Sequence, residues 1–91
     1  MANSFWWLSF VDSKLPKGKQ FLGVVIVVAS GPTEAVVRSH QLKVNPGGEV
    51  SWAPLPSWVC VDARWLGRLL TTQECDEVAS EFEKKRQRMT N

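Results

Sequence analysis

The longest apolar run, Phe21 to Ala29, reads Phe-Leu-Gly-Val-Val-Ile-Val-Val-Ala and holds no charged or hydrogen-bonding side chain. Lys17, Gly18, Lys19 and Gln20 precede it, and Ser30, Gly31 and Pro32 follow. A membrane-spanning helix needs about 20 apolar residues, so this run is too short for one. Its β-branched content and flanking turn residues predict a strand. A strand with one wet face alternates apolar and polar residues. This one does not, so both of its faces must be covered. The chain is short for that task, and a second copy of it is expected to supply part of the cover.

Residues Phe5 to Val11 predict another strand. A two-residue period puts Trp6, Leu8 and Phe10 on one face and Phe5, Trp7 and Ser9 on the other. Between the two strands, Asp12 to Gln20 contains Pro16, Gly18 and three lysines. That composition predicts a long basic hairpin loop and antiparallel neighbours. Ser30-Gly-Pro-Thr-Glu34 reads as a helix start, with proline in the first turn and Glu34 complementing the helix dipole. Ala35, Ser39 and Leu42 share one face of this helix. Asn45-Pro-Gly-Gly48 stops it near Lys43. Val50-Ser-Trp52 predicts a third strand, which Pro54 and Pro56 end and place at an edge or run-out.

The segment 57–68 has apolar residues without a clean period. It reads as a crossing that packs on the sheet, with one short helical turn. Thr71 to Met89 predicts the second helix. Thr71-Thr-Gln-Glu74 forms a capping box, Leu70 and Cys75 are placed for a hydrophobic staple, and Cys75, Val78, Ala79, Phe82 and Met89 make the apolar stripe. The reading is therefore α+β, strand-strand-helix-strand-helix. It predicts a small antiparallel sheet of about three strands, with two helices on one side. Residues 1–91 make a single domain, with 84–91 a basic tail open to fraying.

Composition narrows the function classes. A net charge of +2 gives no strong field for a polyanion, so nucleic acid is not an expected partner. Five tryptophans and 44% hydrophobic residues exclude a disordered chain. The opening residues lack a basic and an apolar targeting segment, which predicts a cytoplasmic protein with no membrane attachment. Cys60 and Cys75 are too few for a disulfide scaffold or a cysteine zinc site and read as reduced structural thiols. No metal or cofactor is expected. His40 is the single histidine, with no nucleophile beside it in sequence, and the usual phosphate, dinucleotide and zinc-protease motifs are missing. The chain reads as non-enzymatic, without catalytic residues.

Two features suggest binding instead. Neighbouring strand residues point to opposite faces, so Trp6 and Trp7 cannot both fill one core. One of them must meet a second layer, another subunit or a ligand, and Trp52 is a further stacking candidate. Asn45-Pro-Gly-Gly-Glu49 could be a helix stop and tight turn, or it could aim the N–H groups of Gly47 and Gly48 at an anion. Lys17, Lys19, Arg38, Arg64 and Arg68 are the candidate cations for a phosphate, with Gln20 beside the lysines and Asn45 at the turn.

Phe5-Trp-Trp-Leu-Ser-Phe-Val-Asp12, Lys17-Gly-Lys-Gln-Phe-Leu-Gly-Val24 and Val44-Asn-Pro-Gly-Gly-Glu-Val50 are the most distinctive segments. Arg68-Leu-Leu-Thr-Thr-Gln-Glu-Cys75 extends them. Together they resemble a family of small uncharacterised bacterial, phage and prophage proteins, over most of residues 5–75. The resemblance carries no activity. Its phage context implies an anti-defence role, by analogy with compact oligomers that sequester nucleotide-derived signals. The leading expectation is thus a homo-oligomer that binds a small nucleotide-like ligand. The alternatives are a module that docks a host or phage protein through exposed tryptophans, and a small nucleotide-acting enzyme.

Overall fold

Both faces of the Phe21–Ala29 strand are indeed buried, and elements of the same chain bury them. The computed structural model describes residues 3–56, 59 and 61–90. Strands β1 (Ser4–Val11), β2 (Phe21–Ala29) and β3 (Glu49–Pro54) form one antiparallel sheet in the order β2-β1-β3. Helix α1 (Pro32–Gln41) follows β2, and helix α2 (Thr72–Thr90) follows a 3-10 turn at Ala63–Trp65. The architecture is α+β in the order that the sequence pattern predicts.

On one face of the sheet Leu8, Phe10, Val25, Val27 and Ala29 pack with Ala35 of α1. On the other, Val24 and Ile26 pack with Val59, Val61, Trp65, Leu70 and Val78 of α2. The helices therefore lie on opposite faces, and the one-sided arrangement is corrected. An all-apolar β2 has to be covered twice, and the crossing after β3 carries the chain to the second face. Val25 and Ile26 retain no exposed surface within a single chain. The need for cover is met without a second copy.

The outer edge of β2 is also closed. Leu70 N donates to Val24 O at 2.7 Å, Val24 N to Leu70 O at 3.3 Å, and Gly67 N to Ile26 O at 3.0 Å. Gly23 permits this approach. Its φ is +136°, and a Cβ there would lie 2.7 Å from both Leu70 O and Leu69 Cδ1.

The tandem tryptophans serve two layers. Trp6 lies against the α1-side core and donates its Nε1–H to Ala29 O at 3.0 Å. Trp7 lies against the opposite core, and both are half-buried. The described part of segment 57–68 crosses the sheet with a 3-10 turn, as its composition suggests. Trp58 and Cys60 lie outside the described residues.

The α2 start is a complete capping box. Glu74 N donates to Thr71 Oγ1 at 3.2 Å, and Thr71 N to Glu74 Oε1 at 3.1 Å. Cys75, Val78 and Phe82 face the core, whereas Ala79 is exposed and leaves the expected stripe; the Met89 side chain lies outside the described part. Leu42 likewise leaves the α1 core face. The helix ends at Gln41, and Leu42 is half-exposed while Ala35 and Ser39 are buried. Thr71→Ala is expected to cost about 1 kcal/mol, which lowers the melting temperature by roughly 5 °C for a domain of this size. Thermal unfolding followed by circular dichroism checks it.

Candidate functional site

The register sets which side chains share the α1 face. Leu8 stands opposite Trp52, Phe10 opposite Val50, and Trp6 opposite Pro54. Directly opposed residues lie on one face, so Val50 and Trp52 sit beside α1. Between them and the helix runs an apolar groove of about 270 Å³, lined by Pro32, Thr33, Val36, Val37, Val50 and Trp52. Trp52 is 53% exposed and Val37 48%. Large apolar groups left in water together mark an interaction surface more than singly scattered ones do.

The groove adjoins an unpaired strand edge. β3 pairs with β1 on one side, and no strand among the described residues pairs with the other. Leu55 N donates to Phe5 O at 2.8 Å. Antiparallel ladders alternate, so Ala53, Ser51 and Glu49 direct their backbone groups toward β1. Val50 and Trp52 direct theirs outward. The stretch Val50-Ser-Trp-Ala53 carries no charge. Edges are commonly blunted by charged residues, proline or short length, and here Glu49 at one end, Pro54 at the other and the six-residue length do so.

The residues singled out for a nucleotide pocket fall in separate places. Lys17 and Lys19 are exposed on the hairpin loop. The Gln20 side-chain amide braces that loop, donating to Leu15 O at 3.0 Å and Ser13 O at 3.4 Å. Ser13 Oγ donates to Glu49 Oε1 at 2.7 Å, so the loop and the turn before β3 do meet. In that turn Gly47 N already donates to Asn45 Oδ1 at 2.8 Å, while Asn45 Nδ2 donates to Ser39 Oγ at 3.0 Å. Gly48 lies hard against the Val11 carbonyl. These contacts are those of a helix stop and tight turn. Arg38 pairs with Glu34 at 2.9 Å. It lines a small groove with Ile26, Val28, Leu42 and Leu66, at the β2 edge of the sheet. Trp52 is at the opposite edge, and Trp7 is on the other face.

Arg64 and Arg68 are engaged as well. Arg64 bonds Glu81 at 2.6 Å and Arg68 bonds Glu74 at 2.5 Å. Their guanidinium carbons stand 4.4 and 5.6 Å from the Trp65 ring centre. Trp65 is buried and donates Nε1–H to Glu81 Oε2 at 3.1 Å. This cluster ties the crossing segment to α2 through cation–π contacts and ion pairs. His40 is exposed, with Nε2 3.4 Å from Asn45 Nδ2. Burial pushes the Cys75 thiol up, as do the nearby Asp76 and Glu74 charges, which disfavours the reactive thiolate. Among the described residues no cluster of three metal-ligating side chains occurs, and no helix is long and apolar enough to cross a membrane.

Three glutamates titrate below their ordinary value of 4.5. The Ser30 hydroxyl and then Arg38 lower Glu34, the Ser13 hydroxyl lowers Glu49, and the Thr71 N–H and then Arg68 lower Glu74. The folded state therefore binds fewer protons than the unfolded state in this range. The stabilisation is fully present above the ordinary value and is lost as pH falls through the lowered ones. Melting temperature is expected to hold level from pH 7 to about 5 and to fall below about 4. A profile that rises on acidification would contradict these carboxylate contacts.

Compared with known proteins, the chain matches no family model, no curated protein and no solved structure. Sequence reasoning found Trp52 and placed its strand at an edge or run-out, but missed Val37. Val37 carried a signal: it neighbours Val36 in the helix yet falls off the Ala35–Ser39 face.

Proposed function

We propose that this chain is a non-catalytic interaction module that docks a protein partner on the α1/β3 face, with Trp52 as its anchor. One observation carries the reading: a half-exposed tryptophan beside an exposed valine and a strand edge that is uncharged from Val50 to Ala53 and pairs with no other strand among the described residues. Tryptophan is over-represented among residues that dominate binding energy. A strand edge offers main-chain hydrogen bonds, and a neighbouring apolar groove offers side-chain selectivity. Nucleotide capture asks for free cations near a stacking ring. Arg38, Arg64 and Arg68 are paired with carboxylates, and the exposed Trp52 ring lies across the sheet from Arg38.

Site-specific photo-crosslinking in the native host tests the proposal. A photoreactive residue at Val37 is expected to capture a discrete protein, and the same residue at Gln73 on α2 is expected to capture none. Equal capture at both positions, or capture at Gln73 alone, would contradict the reading. In a parallel titration, cyclic dinucleotides and adenosine-diphosphate-ribose are expected to leave tryptophan fluorescence unchanged. Saturable quenching by one of them would favour the nucleotide-binding reading instead.

A further inference from the structure

We infer that the partner seated on the β3 edge is a second copy of this chain, paired antiparallel about a two-fold axis through Ser51. The inference rests on the interaction-module reading and names its occupant. An edge strand paired with itself in antiparallel is self-complementary by construction, and a two-fold interface uses one patch twice. With Ser51 opposite Ser51 of the partner subunit, Val50 stands opposite the partner's Trp52. Both residues direct their N–H and C=O outward, so each such pair exchanges two hydrogen bonds. The two-fold gives four in all and merges two three-stranded sheets into one of six. Pro54, which lacks an N–H, falls beyond these pairs.

The side chains fit the same register. A two-fold perpendicular to the sheet puts both α1 helices on one side. Trp52 of the partner subunit then lies across from Val50, a wall of the apolar groove that also holds Val36 and Val37. Aromatic and β-branched residues make favourable cross-strand pairs. On the other face Ser51 meets its own copy, and Glu49 meets the partner's Ala53, so no like charges are directly opposed. A standard interface takes about 800 Å² per partner, against a chain surface of 6110 Å². A six-residue edge and one groove are smaller than that standard. The expected dissociation constant is accordingly on the order of 1–100 µM.

Sedimentation equilibrium across that concentration range tests the inference. Ser51 is exposed, so a charged residue there leaves the core alone. It also leaves Trp52 in place. Ser51→Lys and Ser51→Glu each set like charges opposite one another on the axis. Each is expected to weaken association at least tenfold while circular dichroism remains native. An equimolar mixture of the two is expected to restore a 1:1 dimer, because the opposed charges are then unlike. Wild-type protein that stays monomeric at several hundred micromolar would overturn the inference. So would variants that dimerise like the wild type, or a mixture that fails to restore association. Those results leave crosslinking at Val37 free to reveal a different partner, so the broader interaction reading stands or falls separately.

Discussion

Val25→Lys is expected to abolish folding at every protein concentration. Val25 is fully buried inside the α1-side core, and its neighbour Ile26 is fully buried in the other. Val25 is surrounded by Leu8, Phe10, Val27, Ala29 and Ala35, none of which can pair with an ammonium group. Removing one partner of a buried ion pair costs about 3–5 kcal/mol because an uncompensated charge remains. A lysine inserted with no partner costs at least as much, and steric overpacking adds about 1–3 kcal/mol. A small domain has about 5–15 kcal/mol in total. Circular dichroism should show an unfolded or aggregated chain. A folded monomer would mean that β2 faces a partner and not the chain's own core.

Gly48→Ala carries the second largest expected effect. Gly48 has φ +74°, and a Cβ would collide with the backbone carbonyl of Val11, which cannot move without breaking the sheet. Left-handed strain and the collision together are expected to cost about 3 kcal/mol or more. Gly47 provides the comparison. It also has a positive φ, +87°, but its missing Cβ would meet open space, so Gly47→Ala is expected to cost only about 1–2 kcal/mol. Chemical denaturation of the two variants measures the difference. Equal losses would contradict the steric account of this turn.

Local rules made most of the fold legible. The alternation in Phe5–Val11, the uniform run in Phe21–Ala29 and the capping box at Thr71 each rest on neighbours in sequence. All three appear as the pattern predicts. The sidedness of the helices was not legible, because it depends on where the crossing after Pro56 lies. The cover for β2 was misassigned for the same reason. Val59, Val61, Trp65 and Leu70 bury its second face, although their spacing has no clean period. Binding residues were legible as types and not as an assembly. Arginine, lysine, tryptophan and paired glycines suit a nucleotide, but Arg38 and Trp52 fold to opposite sheet edges, and Gly47 spends its N–H on Asn45. Trp52 stood out in sequence only as a stacking candidate beside Trp6 and Trp7. Its exposure follows from β3 being outermost in the sheet.

The claim that Trp52 anchors a partner separates cleanly from stability, because an exposed side chain contributes little to folding. The decisive measurement is the yield of photo-crosslinked partner from Val37 in chains carrying Trp52→Ala, read beside the melting temperature. A yield reduced at least tenfold with the melting temperature unchanged within about 3 °C is the predicted result. An undiminished yield in a folded Trp52→Ala chain would contradict it.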